Sequence, residues 1–66
     1  MAVQSTPLRS TAIAMVEYDD ETQTMEVEFT NGRSYTHVGV PQEVYDGLVN
    51  AGSPGAYYNS AVKGRY

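Results

Sequence analysis

Cysteine is absent from this chain of 66 residues, and histidine occurs only once, at His37. Without cysteine the chain forms neither disulfides nor thiolate metal sites, and its redox compartment leaves no mark on the sequence. One histidine is too few for a histidine-based zinc site within a single chain. We therefore expect no metal ion and no cofactor.

Long apolar runs are also absent. The N-terminal stretch, MAVQSTPLRS, has no apolar core of signal-peptide length. Nothing further along the chain approaches the roughly 20 apolar residues that a membrane-spanning helix needs. This pattern predicts a cytoplasmic protein without membrane contact.

The chain is long enough for one domain only. A domain of this size buries only about 60% of the surface that its unfolded chain exposes, and small domains are often completed by disulfides, metals or partner subunits. The first two are excluded here, so we expect a homo-oligomer. The apolar fraction of 41% is typical of a folded domain.

Basic side chains are few, with four against eight acidic ones and a net charge of −4. An acidic balance disfavours nonspecific attraction to nucleic acids and anionic lipids. The acids concentrate in the first half of the chain, whereas Lys63 and Arg65 stand at its C-terminal end. The composition therefore leaves room for a local anion site at that end.

Apolar periodicity indicates strands in the first part of the chain. Residues 25–29 alternate apolar and acidic side chains with a period of two, and the Asn-Gly pair that follows is a strong hairpin signal. The return strand covers residues 33–38, and another strand precedes at 11–18. Residues 1–9, with Pro7 and few apolar side chains, predict a flexible arm or one docked on a neighbouring subunit.

Two helices are indicated after the strands. Pro41 suits the first position of a helix, and the apolar side chains that follow fall on one stripe. Ser53 and Pro54 begin the second helix, which Gly64 ends. The order predicts an α+β fold for residues 10–66: a three-stranded antiparallel β-meander with two C-terminal helices packed on one face.

A two-residue turn would set the hairpin register and the two faces of the sheet. Phe29 would then lie opposite Ser34, and Glu26 opposite His37. The predicted core combines the apolar face with the helix stripes, namely Val27, Phe29, Val38, Leu48, Tyr58 and Val62. The other face holds Glu26, Glu28, Arg33, Tyr35 and His37, together with Ile13 and Met15 if residues 19–22 form the preceding loop. That face is a solvated surface, a subunit interface or a ligand surface.

The C-terminal segment, from Ser53 onward, contains a candidate anion site. The first-turn N–H groups of Gly55 and Ala56 lack intrahelical partners, and the helix dipole favours an anion there. Alternatively, Ser53 is an ordinary N-cap and Gly55 a tight contact with the preceding helix. Lys63 and Arg65 either bind the anion or complement the dipole at the helix end. The candidate ligand-binding residues are Ser53, Gly55, Ala56, Tyr57, Lys63, Arg65 and Tyr66, with Arg33, Tyr35 and His37 from the sheet.

No catalytic residue is predicted. His37 has no activated nucleophile beside it, since Ser34 points to the opposite face in this register. We expect His37 to serve as a hydrogen-bonding contact and the protein to be non-enzymatic.

Four motifs occur in order along the chain: MEVEF at 25–29, VP at 40–41, AGSPGAYYN at 51–59 and VKGRY at 62–66. In these motifs, and over residues 10–66, the chain resembles the KTSC domain. That family is named for its occurrence at the C-terminus of some lysyl-tRNA synthetases and also includes free-standing bacterial and phage proteins. The family's Tyr-x-Tyr motif stands here as Tyr35, Thr36 and His37, so an imidazole replaces one phenol.

The resemblance implies RNA binding only through the association with synthetases. The chain lacks the basic stripe of a backbone-tracking RNA binder, whereas a compact nucleotide needs only one helix start, one or two cations and an aromatic ring. We therefore expect a module that captures a small phosphate-bearing nucleotide at a subunit interface. A free-standing phage version would act as a sponge for a host nucleotide signal. The alternatives are an RNA- or tRNA-binding accessory domain and a protein–protein adaptor.

Overall fold

The computed structural model describes residues 3–66, and residues 1 and 2 of the predicted arm lie outside this range. Four antiparallel strands form one sheet in chain order: β1 (Val3–Pro7), β2 (Ile13–Asp19), β3 (Thr24–Phe29) and β4 (Ser34–His37). Helix α1 spans Gln42–Val49, and helix α2, Pro54–Tyr57, runs directly into a π-helical turn, Tyr58–Val62. The predicted α+β architecture is confirmed, but the sheet has four strands rather than three.

The additional strand, β1, comes from the segment predicted to be a flexible arm, and that prediction is wrong for residues 3–7. The inner face of β1 is polar. Gln4 Nε2 donates a hydrogen bond to Gln42 Oε1 at 2.9 Å, and the hydroxyl groups of Thr6 and Tyr45 lie 2.6 Å apart. Because polar partners hold this strand in place, no apolar alternation marks it in the sequence.

The β3–β4 hairpin turns over three residues rather than two. The Gly32 N–H donates to the Phe29 carbonyl at 3.0 Å, and the Phe29 N–H donates to the Arg33 carbonyl at 2.7 Å. Gly32 has a φ of +90°, as the left-handed position of a type I turn with a glycine bulge requires. The predicted register is therefore wrong by one residue.

The one-residue shift exchanges the two faces of β4. Tyr35 pairs with Val27 and His37 with Met25, so both rings lie on the helix side of the sheet and not on the outer face as predicted. Val38, predicted to be in the core, is 67% exposed beyond the end of β4.

A second irregularity divides two side chains that were predicted to share the polar face. The pairing of β2 with β3 shifts between Ile13 and Met15, which indicates a β-bulge. Ile13 lies opposite Phe29 and is fully buried, whereas Met15 lies opposite Glu28 on the outer face. The prediction is therefore confirmed for Met15 and wrong for Ile13.

The core lies between the inner face of the sheet and the helices. Leu48 is fully buried at the centre of the α1 stripe, and Phe29 packs against the core while partly exposed. Apart from Phe29 and Val38, the predicted core residues are all buried. The buried set is Ile13, Val16, Tyr18, Met25, Val27, Val40, Tyr45, Leu48, Tyr58 and Val62.

Tyr18 connects the sheet to the segment that leads into α1. Its ring stacks on Tyr45 with 5.2 Å between centroids, and its hydroxyl donates to the Val40 carbonyl at 2.5 Å. Burial, reinforced by Asp20 and other nearby carboxylates, raises the pKa of Tyr18, so the hydroxyl stays protonated and able to donate.

We expect Tyr18→Phe to lower the free energy of unfolding by about 1–2 kcal/mol, because the Val40 carbonyl would lose its donor in a buried position. Urea denaturation followed by circular dichroism measures this difference. Tyr66→Phe, which removes a hydroxyl at a residue that is 37% exposed, is the control and should unfold like the parent. Equal midpoints for the parent and Tyr18→Phe would contradict the role given to this hydrogen bond.

Candidate functional site

A half-open groove of about 450 Å³ separates the β3–β4 hairpin from the π-helical turn. It combines aromatic rings, amides and two cationic side chains. The residues that line it are Phe29, Asn31, Arg33, Tyr35, Tyr58, Asn59 and Lys63.

The hairpin supplies one wall of the groove. The three-residue turn places Tyr35 on the helix side, where its ring meets Phe29 edge-on with 5.6 Å between centroids. Tyr35 nevertheless remains 47% exposed. Asn31 accepts a hydrogen bond from the Arg33 N–H at 2.9 Å, which orders the turn beside the two rings. An exposed aromatic face beside an ordered turn is suited to stacking on a planar ligand.

The π-helical turn supplies the opposite wall. The Lys63 N–H donates to the Tyr58 carbonyl, five residues earlier, at 2.8 Å, which is the bond that defines a π-turn. Tyr58 packs edge-on against Phe29 at 5.1 Å and anchors this wall to the core. Asn59 and Lys63 both reach the groove from this turn. Single π-turns of this kind occur frequently at functional sites.

His37 lies behind the groove and forms a hydrogen-bonded link. Its Nδ1 is 3.2 Å from a main-chain oxygen of Tyr66, and its Nε2 is 2.8 Å from the Tyr58 hydroxyl. A main-chain oxygen accepts, so in the neutral ring Nδ1 carries the proton and Nε2 accepts from Tyr58. His37 therefore ties the C-terminal segment and the Tyr58 ring to β4. Burial raises the pKa of Tyr58, with a smaller contribution from Tyr35, and this favours a protonated, donating hydroxyl.

The groove is locally positive in an otherwise acidic chain. Arg33 and Lys63 both line it, and within residues 3–66 neither side chain has a hydrogen bond or an ion pair. The chain as a whole carries a net charge of −4. Cations left without partners in such a chain are available to an external anion.

The groove brings together part of the predicted site. Arg33, Tyr35 and Lys63 line it, and His37 and Tyr66 stand next to it through the link just described. Arg33, Tyr35 and His37 were predicted to lie on the outer face of the sheet, but the groove lies on the helix side.

The structure does not bring the predicted helix-start residues to the groove. Gly55 faces the segment before β2, and a Cβ at this position would lie 3.2 Å from the Cβ of Ala12. Gly55 is therefore a close contact, though with Ala12 rather than with the preceding helix. Ser53 makes no side-chain capping bond, and Ala56 is exposed. The helix that they begin has only four α-helical residues.

Two further candidates lie apart from the groove. The Tyr57 hydroxyl lies directly over Gly47, because a Cβ built on Gly47 would collide with it, so this ring packs on α1. Arg65 is exposed, and its backbone N–H donates to the Val62 carbonyl at 3.0 Å.

Sequence reasoning missed the two amides of the groove, Asn31 and Asn59. Asn31 was explained completely by its role in the turn, and Asn59 appeared only as the last residue of the AGSPGAYYN motif. Only the three-dimensional pairing of the hairpin with the π-helical turn places these amides on facing walls.

The described residues contain neither a metal-binding cluster nor a membrane-spanning helix. Residues 3–66 contain no cluster of three or more histidine, cysteine, aspartate or glutamate side chains arranged to bind a metal ion. No helix in the same range is long and apolar enough to span a bilayer.

Comparisons with known proteins match nearly the whole chain. The family model of the KTSC domain matches residues 9–66. A protein of Tsukamurella paurometabola is 40% identical over 60 residues, which cover 91% of this chain and 90% of the relative. A KTSC domain protein from Yersinia pestis superposes with a TM-score of 0.89 at 28% identity, covering 97% of this chain and 90% of that structure.

Larger relatives contain the same module. A lysine–tRNA ligase of Nostoc punctiforme is 37% identical over 54 residues, which are 82% of this chain and 10% of the ligase. The chain therefore corresponds to about a tenth of that enzyme. Because the family model spans β2 to β4 and both helices, and the Yersinia pestis structure superposes on nearly the whole chain, this chain belongs to the KTSC domain family.

Proposed function

We propose that this protein is a non-enzymatic module that captures a small phosphate-bearing nucleotide in the groove between the hairpin and the π-helical turn, at a subunit interface. The observation that carries the proposal is the pairing of two unpartnered cations, Arg33 and Lys63, with the exposed ring of Tyr35. These groups lie in a chain whose overall charge is negative.

Each part of a nucleotide finds a suitable group in the groove. Arg33 presents a planar fork of N–H donors that matches phosphate oxygens, and Lys63 adds a second positive charge from the facing wall. Tyr35 offers a ring face on which a base stacks. Asn31 and Asn59 carry both a donor and an acceptor, as the edge of a base requires. The volume of about 450 Å³ lies within the usual range for a small-molecule site.

The chemistry of the lining supports binding without turnover. No carboxylate, histidine or aliphatic hydroxyl lines the groove, and the Tyr58 hydroxyl, whose pKa is raised by burial, is held in its hydrogen bond with His37. His37 has its two ring nitrogens occupied within the chain. A protein that holds a nucleotide without consuming it lowers its free concentration, which is the action of a sponge. We extend the proposal to a phage-encoded sponge for a host nucleotide signal, acting in the cytoplasm.

RNA binding is the second candidate, and the kinship with lysine–tRNA ligases favours it. A phosphate backbone would need a row of cations, and the groove supplies two. The acidic residues of the chain oppose a long polyanion more strongly than a compact one. A protein–protein adaptor remains the third alternative.

Isothermal titration calorimetry tests these alternatives with mononucleotides, dinucleotides, cyclic oligonucleotides and short RNAs as titrants. We expect at least one small nucleotide to bind, with an affinity that falls only weakly between low and physiological salt. For RNA, the logarithm of the binding constant should fall with a slope set by the number of phosphates contacted. If RNA binds with a steep salt dependence and no small nucleotide binds, the RNA alternative replaces our proposal. If no titrant binds, the adaptor is favoured.

A further inference from the structure

The outer edge of β4 carries a row of unpaired backbone groups. β4 lies at one end of the sheet and pairs only with β3. The Phe29 N–H bonds to the Arg33 carbonyl, so along an antiparallel pair the residues bonded to β3 alternate from there. Tyr35 and His37 are therefore bonded to β3, whereas the N–H and C=O groups of Ser34 and Thr36 point away from the sheet. Within residues 3–66 these outward groups have no backbone partner.

The opposite edge of the sheet is protected against pairing. The Leu8 N–H donates to the Ala14 carbonyl, so the same alternation turns Val3, Ser5 and Pro7 of β1 outward. Pro7 has no N–H, and a proline on an edge strand interrupts any added ladder. β4 has no such device: its sequence, Ser-Tyr-Thr-His, contains no proline, lysine or acid.

We propose that β4 pairs with β4 of a second copy of this chain, antiparallel and about a two-fold axis through Thr36. This joins two sheets into one and places Tyr35 of each copy opposite His37 of the other. The part of this inference that concerns the ligand rests on the proposed function, but the pairing itself does not.

Charge permits a second copy as the occupant of this edge. β4 carries no aspartate, glutamate, lysine or arginine, and the proposed register places His37 opposite Tyr35 rather than opposite its own equivalent, so no like charges face each other across the axis. The closest outer-face acids, Glu26 and Glu28, lie on β3. In the dimer they would be three strand spacings from their equivalents, about 14 Å, which exceeds the screening length of about 8 Å at physiological salt. A strongly basic or acidic partner strand would find no complementary charge on β4.

The pairing has a consequence for the groove. Directly opposed side chains in an antiparallel pair have their Cβ atoms about 4.5–5.5 Å apart. In the dimer, the Tyr35 ring of the first copy therefore lies beside the His37 ring of the second copy. The exposed part of Tyr35 in the second copy is next to this pair. Tyr35 is one residue from the axis in each copy, so the two grooves lie on the same face of the joined sheet. We expect a ligand with two anionic or aromatic ends, one for each groove.

Thr36→Pro tests the pairing, with sedimentation velocity at low micromolar protein as the readout. We expect the parent to sediment as a dimer of twice 7.2 kDa. Thr36→Pro should be a monomer, because it removes an outward N–H while keeping every bond between β4 and β3. Thr36→Val keeps the N–H and the branched shape, so it is the matched control and should remain a dimer.

A cross-linking experiment decides the case in which Thr36→Pro fails to fold. The chain has no cysteine, so Thr36→Cys introduces a single thiol that faces its own equivalent across the proposed axis. We expect mild oxidation to convert Thr36→Cys to a covalent dimer and to leave Ser5→Cys, on the β1 edge, monomeric. A monomeric parent, or a dimer in which Ser5→Cys cross-links and Thr36→Cys does not, would overturn the pairing. If the parent is a monomer that binds a nucleotide, only the proposed pairing is contradicted. If it is a β4 dimer that binds no titrant, only the proposed function is contradicted.

Discussion

Leu48→Ala is expected to lower the free energy of unfolding by about 2–5 kcal/mol, the largest effect that we predict for a single truncation in this chain. Leu48 lies on α1, and its side chain is fully buried in the core that α1 forms with the inner face of the sheet. The truncation loses the transfer free energy of a buried methine and two methyl groups, and it leaves a cavity that the surrounding core fills incompletely. A domain of this size has roughly 5 kcal/mol in total, so much of the variant would be unfolded at room temperature. Urea denaturation measures the loss.

Val38→Ala is the matched control, because both substitutions truncate an aliphatic side chain. Val38 is 67% exposed, so we expect a change within about 0.5 kcal/mol. The pair also tests the hairpin register, since the two-residue turn would bury Val38. A large loss in Val38→Ala, or none in Leu48→Ala, would contradict the packing described above.

The hairpin shows how far local sequence signals reach. Asn31 and Gly32 mark the position of a turn correctly, but two turn types are compatible with them. Gly32 takes the left-handed position of a three-residue loop, and the difference of one residue moves Tyr35 and His37 to the other face. The choice depends on tertiary packing: Phe29 and Tyr58 provide the aromatic surface on which Tyr35 and His37 rest.

Long-range contacts also account for the missed strand. The helices were predictable because Pro41, Pro54 and the apolar stripes are local signals. β1 depends instead on Gln42 and Tyr45, which lie 38 and 39 residues away from their partners in the strand. No window of the sequence contains both halves of these bonds.

The candidate site was predictable in its chemistry and not in its position. Lys63, Arg33 and Tyr35 are identifiable from the sequence as scarce cations and a sheet aromatic, and all three line the groove. The sequence predicted that these groups meet at the start of the second helix, whereas the groove lies elsewhere. At that helix start, Gly55 packs against Ala12. The π-helical turn, which contains Asn59 and is followed by Lys63, lies within a stretch whose apolar stripe predicts an ordinary α-helix.

Arg33→Ala and Lys63→Ala are each expected to weaken nucleotide binding by about 1.5–3 kcal/mol, at least tenfold in the dissociation constant, because each removes a charged hydrogen bond to phosphate. If their effects add, the double variant should lose at least about 100-fold. Both side chains lack partners within residues 3–66, so their removal should leave the free energy of unfolding nearly unchanged. Calorimetry with the nucleotide that the parent binds most tightly gives the affinities.

Arg9→Ala provides the charge-matched control, since it removes the same charge from an exposed position outside the groove. We expect it to bind within about twofold of the parent, because an exposed charge that does not line the groove acts on the ligand only through screening solvent. Tyr35→Phe should also bind nearly as the parent does, whereas Tyr35→Ala should lose about 1–3 kcal/mol of stacking. Arg65→Ala separates the groove from the C-terminal tail. A loss in Arg65→Ala together with full affinity in Arg33→Ala would move the site away from the groove and to the tail beyond the π-helical turn.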